Sequence, residues 1–476
     1  MKPLWKYILV SLPLMLSGCG DFKGMPSMAM SLPEQFQQKT AVDAPEKLSK
    51  DWWKDTSDET LKAIIGQIET QNLSLEQARF RLNAARIDLR QYDYLPSLTA
   101  TADAQYNHLI SGKAAIQNVG VPQAGDKKTT GYYNAKIDAS WEVPLYGQFS
   151  DADDIKNANI AFAEADIDAV RASVVSEAVR LYSEMRAKQQ EITKRESIHL
   201  SAKKIADYQA IKRKAGLITD TELGSSRQAV LSAQNELQIA QSELVARKQQ
   251  LAKLLGRVTP DEAWNSPAEI PVFLLPAFDD TPLDVLRNRP DIRKAESSVL
   301  AAAGDFSLAK SEMYPKLTLS GNLSQLGNLT GNALMDKTVQ LGGIPSISLP
   351  IFDWGKRLSN AKIKDETLSE TASAYRETVI GAMNEVEEFW SAYRTAQNSE
   401  VALKENASIS SKANAHAGLL FKQGITDGID RENAEINASR SAIAYLQSQV
   451  DTITKLTALT KALGGTSAIT NEKLND

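Results

Sequence analysis

The chain has 476 residues, of which 54 are Lys or Arg and 59 are Asp or Glu, so its formal net charge is −5. This acidic balance argues against a polyanionic partner such as a nucleic acid. The single cysteine, Cys19, excludes an intramolecular disulfide. The three histidines lie far apart, and no zinc-type cluster, Gly-rich phosphate loop or GxSxG motif occurs, so the sequence points to no enzyme and no metal site.

The N-terminus has the features of an export signal followed by a lipid attachment site. Residues 1–18 combine lysines with an apolar run that is too short to cross a bilayer as a helix, which is typical of a signal peptide. The Leu-Ser-Gly-Cys sequence ending at Cys19 resembles the bacterial lipobox, which implies a diacylglycerol on that thiol. The next residue, Gly20, is not the Asp that marks inner-membrane retention, so we expect the outer membrane. Residues 19–50 lack periodicity and are predicted to be a tether.

The next segments combine helical periodicity with four strand-like stretches. Apolar residues recur at helical spacing between Leu61 and Ala85 and predict one amphipathic helix or a helix pair. Alternating apolar and polar residues predict strands with one apolar face, each about as long as a membrane-spanning β-strand of 9–11 residues. The four stretches are Leu98–Asn107, Tyr133–Trp141, Leu317–Ser324 and Val339–Leu349. By themselves these strands also fit a soluble sheet with a solvated face.

Two long helices follow the second strand. The sequence from Gln148 to Ala215 contains neither Gly nor Pro and predicts one helix of about 100 Å at 1.5 Å per residue. Apolar residues step by four and three along it, which is the seam of a coiled coil. These are Val170, Val174, Ala178, Leu181 and Met185. Gly216 is predicted to end this helix, and a second helix runs to Leu255.

The chain then repeats itself. Gly147 and Gly355 lie 208 positions apart, as do Gly216 and Gly424, while Pro96 and Pro315 lie 219 positions apart. Each repeat therefore reads helix, strand, loop, strand, long helix, turn, helix. The predicted divisions are residues 51–256 and 282–464 for the repeats, 257–281 for a Pro-rich linker and 465–476 for a tail.

Four strands cannot close a barrel, because about eight are the practical minimum. Unpaired strand edges cannot face lipid, so membrane-spanning strands would need to be completed by other copies of the chain. Two copies would supply eight strands and three copies twelve.

Several motifs carry a resemblance to a known family. They are the lipobox at Cys19, Asp51-Trp52-Trp53-Lys54, Trp141-Glu142-Val143-Pro144-Leu145-Tyr146-Gly147, Arg289-Pro290-Asp291-Ile292 and Pro350-Ile351-Phe352-Asp353-Trp354-Gly355. On these motifs the sequence resembles the outer-membrane efflux lipoproteins of the TolC family. The resemblance implies a mainly α-helical homotrimer with a twelve-stranded transmembrane β-barrel, four strands per chain, and a long periplasmic coiled-coil tunnel. It implies an exit duct for drugs that joins a periplasmic adaptor protein and an inner-membrane efflux transporter.

The resemblance also assigns roles to the helix turns, which close the tunnel at rest. The turns expected to dock the adaptor carry Gly216, Leu217 and Asp220 in the first repeat, and Gly424, Ile425 and Asp427 in the second. The gate candidates are Ile429, Asp430 and Asn433, with Thr221 and Glu222 on the first repeat. Asn433 departs from the carboxylate of the family pattern, and Asp430 is expected to supply that charge. Ile429 and Asp430 are predicted to lie at the narrowest point.

Two other functions remain open at this level. A type I protein-secretion duct would have the same fold, and a lipid-anchored structural protein could carry the same coiled coil. Apart from the N-acyl diacylglycerol on Cys19, no cofactor is expected.

Overall fold

A computed structural model describes residues 22–28, 52–91, 94–108, 129–273, 287–329 and 337–465. Cys19, the predicted signal peptide 1–18, the predicted tether apart from residues 22–28, Asp51 and the tail beyond residue 465 lie outside the described residues. The helices are α1 (Glu59–Gln71), α2 (Leu73–Leu89), α3 (Gln148–Lys214), α4 (Asp220–Leu254), α5 (Pro290–Ser311), α6 (Lys356–Lys422) and α7 (Gly428–Ala462). The strands are β1 (Ser97–His108), β2 (Thr129–Val143), β3 (Lys316–Asn328) and β4 (Lys337–Ser348).

The four strands form one antiparallel sheet in the order β1-β2-β3-β4. All four predicted strands are confirmed. The first three extend beyond the predicted stretches at both ends, whereas β4 begins two residues before its stretch and ends at Ser348, two residues before Pro350. Apolar residues of neighbouring strands share one face, since Ile137 pairs with Leu323 and Leu323 with Leu341. Their exposed fractions of 42%, 43% and 84% show that the described part of the chain leaves that face largely open.

The repeat is confirmed in the lengths of the helices. Helices α3 and α6 each contain 67 residues, and α4 and α7 each contain 35. In each of these two pairs, the second helix begins 208 positions after the first. Ala178, Leu181 and Met185 of the predicted seam are fully buried, which confirms the seam. Among the described helices, none combines the length and the apolar character that a bilayer-crossing helix requires.

The chain divides into two compact units, and neither coincides with a sequence repeat. One unit comprises residues 1–27, 85–159 and 298–372 and contains the sheet. The other comprises residues 28–84, 160–297 and 373–476. Its main core packs α1 against α3 and α4, with Leu61, Ile65 and Tyr182 almost fully buried. The Pro-rich linker contributes to this core through Trp264 and Ile270.

The helix pair between the N-terminal tether and the first strand is α1 and α2. Asn72 separates these helices, and its side-chain oxygen accepts hydrogen bonds from the backbone N–H groups of Ser74 and Leu75 at 2.9 and 3.1 Å. Its amide nitrogen donates to the backbone oxygen of Leu254 at the end of α4, at 2.8 Å. One polar side chain therefore caps α2 and fixes the end of α4.

The Arg-Pro-Asp motif has a packing role. Arg289 is 5% exposed, and its guanidinium donates to the carboxylates of Asp291 and Glu385 at 2.6 and 2.7 Å. It also donates to the backbone oxygen of Ala462 at 2.7 Å. Because the last carbonyls of a helix lack partners within the helix, this contact caps α7 and ties it to α5 and α6.

Candidate functional site

The two helix turns share one backbone design. Gly216 and Gly424 adopt φ values of 77° and 73°, in the left-handed region that favours glycine. The N–H of Leu217 bonds to the Lys212 oxygen at 2.9 Å, and the N–H of Ile425 bonds to the Leu420 oxygen at 3.0 Å. Both turns are therefore Schellman-type helix ends. The side chains of Leu217 and Ile425, 73% and 65% exposed, project from the tips of the turns.

Three of the predicted acidic residues have local partners. The Asp220 carboxylate pairs with the Arg213 guanidinium at 2.7 and 2.9 Å, which lowers the pKa of that carboxyl. The Glu222 carboxylate accepts hydrogen bonds from the backbone N–H and the hydroxyl of Thr219, at 2.7 and 2.9 Å. Thr219 in turn caps α4, and the pair forms a capping box. Asp427 caps α7 by accepting from the N–H of Asp430 at 2.9 Å.

The gate candidates lie at the starts of two different helices. Thr221 and Glu222 are exposed on the first turn of α4. Ile429 is half-buried and Asp430 exposed on the first turn of α7, and Asn433 is exposed one turn later. Their placement at the narrowest point of a channel stays a prediction.

A contact between the two helical hairpins, which the sequence reasoning missed, lies beside the candidates on α7. The end of α3 meets the start of α7 through three residues spaced four apart, Lys204, Tyr208 and Lys212. The Lys212 ammonium lies 3.1 Å from the Asp427 carboxylate, and the Lys204 ammonium lies 3.3 Å from Glu432. A Cβ at Gly428 would lie 2.7 Å from the Tyr208 ring, so a larger residue at this position would require the ring to move. We call this set the α3–α7 contact.

Glu432 is the most unusual member of the α3–α7 contact. It is 2% exposed, although its neighbours on α7 are the half-buried Arg431 and the exposed Asn433. Burial raises the pKa of its carboxyl, but hydrogen bonds from Ser201, Arg431 and Lys204 outweigh burial and leave the pKa below its usual value. The family pattern led us to expect a carboxylate at position 433 itself, with Asp430 as its replacement, and Glu432 was not among the predicted gate residues. The i, i+4 spacing of Lys204, Tyr208 and Lys212 places these residues on one face of α3, but it does not identify α7 as the partner.

The N-terminal segment is bound to the unit that contains the sheet. The Asp365 carboxylate, on α6, is 4% exposed and accepts hydrogen bonds from the backbone N–H groups of Lys23 and Gly24 at 2.8 and 3.2 Å. Phe22 packs edge-on against Phe306 of α5, with ring centroids 5.4 Å apart.

Comparisons with known proteins agree with this architecture. Nodulation protein T of Rhizobium leguminosarum bv. viciae is 24% identical over 453 residues, which cover 93% of this chain and 90% of that protein. The pyoverdine export outer membrane protein OpmQ of Pseudomonas putida is 23% identical over 472 residues, which cover 96% of each chain. The open-state structure of the Neisseria gonorrhoeae MtrE outer membrane channel has a TM-score of 0.78 at 23% identity, and it covers 94% of this chain and 98% of that one.

The likeness to MtrE confirms the predicted fold class. In this fold, pairs of strands and long helical hairpins alternate along the chain, and the strands form one four-stranded sheet. The sequence model of the family described as outer membrane efflux protein matches residues 64–257 and 282–465, which are most of the chain. The chain therefore belongs to the outer membrane efflux protein family.

Proposed function

We propose that three copies of this chain form the outer-membrane exit duct of a tripartite drug efflux system. The observation that carries the proposal is the four-stranded sheet, whose apolar face is exposed and whose edge strands β1 and β4 each pair with only one neighbouring strand among the described residues. Backbone groups at such edges cannot remain unpaired in lipid. Three copies supply twelve strands, enough for a closed cylinder with a lumen.

The proposed partners are a periplasmic adaptor protein and an inner-membrane efflux transporter. The exposed apolar tips Leu217 and Ile425 provide the docking surface for the adaptor. The proposed cargo is small molecules such as drugs, which is supported by the efflux description of the family and by the pyoverdine export named for one relative. The proposed anchor is an N-acyl diacylglycerol on Cys19, held in the outer membrane.

Co-purification with adaptors, combined with drug susceptibility of a deletion strain, tests this function. We expect the full-length chain to migrate as a heat-dissociable trimer, to conduct ions in planar bilayers and to retain an adaptor. Deletion should increase drug susceptibility. Replacing Leu217→Asp and Ile425→Asp should abolish adaptor retention and leave the trimer intact. The matched control is Leu231→Asp, at another exposed apolar position, 66% exposed on α4.

Two results would contradict the proposal. A deletion strain with unchanged drug susceptibility and a block in protein export would favour a type I secretion duct. A monomeric chain that stays soluble without detergent after removal of its acyl chains would exclude a membrane duct.

A further inference from the structure

The strand register of the two internal repeats indicates how the strands of two copies of the chain would pair. In the first repeat, Ser97 of β1 pairs with Ser140 of β2. Adding 219 to the first number and 208 to the second gives Lys316 and Ser348, which pair in β3 and β4 of the second repeat. The two hairpins therefore have the same register, and the offsets read from the sequence map one hairpin onto the other, residue by residue.

The strand pair between the repeats, β2 with β3, therefore provides a template for a pair that the single chain lacks. In the β2–β3 pair Ser140 lies opposite Ser320. The equivalent of Ser140 is Ser348 on the edge strand β4, and the equivalent of Ser320 is Thr101 on the edge strand β1. This deepens the function proposed above and rests on it: we propose that β4 of one copy pairs antiparallel with β1 of a second copy, with Ser348 opposite Thr101.

The side chains on both strands fit this register. It places Ile347 opposite Ala102, so the apolar faces of the two copies continue into one another. A shift by one residue would place apolar side chains opposite polar ones, because successive residues point to opposite faces. The register also places Tyr106, which is 69% exposed, opposite Gly343. In the β2–β3 pair the ring of Tyr133 covers Gly327 in the same way, at 2.3 Å from the position of a Cβ.

The corners that follow the strands support the same arrangement. Tyr146, at the corner after β2, stacks on Tyr314 just before β3, with ring centroids 4.9 Å apart. The equivalent of Tyr146 is Trp354, which is 89% exposed and has a φ of 57°. A positive φ at a non-glycine residue carries strain, which needs support from its surroundings. The equivalent of Tyr314 is Leu95, 53% exposed, and in the proposed pair Leu95 of the second copy covers Trp354.

Disulfide formation tests the register directly. The full-length S348C/T101C variant, extracted from outer membranes and oxidised, should lose its monomer band in denaturing gels and form covalent dimers and trimers. A reductant should cleave these disulfides and restore the monomer band. Directly opposed residues have Cα atoms about 4.5–5.5 Å apart, which suits a disulfide, whereas pairs displaced by two residues are about 7–8 Å apart. The displaced variants S348C/T99C and S348C/D103C should therefore keep their monomer band.

The matched positive control is S140C/S320C, the equivalent pair inside one chain, whose thiols should become blocked without a change in oligomeric state. Single variants S348C and T101C, which keep Cys19, should not form covalent trimers. Non-covalent trimers that persist in unheated gels would still support the duct. If in that case a displaced variant forms the disulfide, or if none of the variants forms it, the proposed register is wrong. If no variant forms an oligomer and the unmodified chain does not conduct, both the register and the proposed function are overturned.

Discussion

At the scale of single residues, the buried carboxylate of Glu432 is the part of the α3–α7 contact that is most sensitive to change. Burial of an ionised group is tolerated only where cations and hydrogen-bond donors surround it. Lys204 and Arg431 supply the positive charge, and Lys204 lies on the other hairpin. Since one of the cations is half-exposed, solvent screens part of this attraction.

We predict that Glu432→Gln weakens the contact between the hairpins. Loss of the charge-assisted bonds should cost about 1 kcal/mol, equivalent to about a fivefold increase in the open fraction of the duct. Ion conductance in planar bilayers measures this increase. The matched control is Glu435→Gln, one turn along α7, because Glu435 bonds to Asn414 of the same hairpin at 2.7 Å. Equal conductance of the two variants would contradict a role for Glu432 in holding the hairpins together.

At the scale of the elements, the charged residues at the ends of the long helices match the helix dipole. The last turn of α3 carries Lys212, Arg213 and Lys214, and the first turn of α4 carries Asp220 and Glu222. Positive charge near a helix C-terminus and negative charge near an N-terminus both interact favourably with the helix dipole. The acidic residues of the turns therefore stabilise the turns whether or not they also contact an adaptor.

The N-terminal segment is a second element whose position depends on one side chain. We predict that Asp365→Ala releases residues 22–28 from α6, because it removes the acceptor of two backbone N–H groups. Trypsin should then cleave after Lys23 faster than in the unmodified chain, which mass spectrometry of the N-terminal fragment detects. Glu366→Ala is the control, since that exposed residue pairs only with the Lys23 ammonium, also exposed, and such pairs contribute little. Unchanged cleavage of Asp365→Ala would show that Asp365 does not hold the segment.

At the scale of the whole molecule, we expect the α3–α7 contact to control how the proposed duct responds to pH. The pKa values of Asp427 and Glu432 are both lowered, Asp427 by the N–H of Asp430 and by Lys212. A carboxyl whose folded pKa is depressed stabilises the folded arrangement above its unfolded pKa of about 4, and this stabilisation is lost as the pH falls through the folded value.

We therefore predict that conductance stays constant from pH 8 to about pH 5 and rises only below about pH 4. Conductance of a reconstituted duct across this range measures the effect. The double variant Asp427→Asn/Glu432→Gln should show raised conductance without the acidic rise, because Asn still caps a helix but neither group titrates. A rise in conductance of the unmodified duct between pH 7 and pH 5 would contradict this assignment.

Local patterns in the sequence predict the types, lengths and repetition of the elements. The 67-residue helices follow from the absence of breakers, and the strands follow from period-2 alternation, so both are local signals. The positions of the turn glycines could also be predicted from the sequence, because the backbone at such a helix end requires a positive φ.

Contacts between side chains that lie far apart in the sequence could not be predicted from such patterns. Lys204 and Glu432 are 228 positions apart, and no local pattern marks Glu432 as buried while Asn433 beside it is exposed. The binding of Lys23 to Asp365 spans 342 positions and likewise depends on how α6 packs. Burial and ion pairing are properties of neighbours brought together by folding, whereas periodicity and chain breakers are properties of the chain itself.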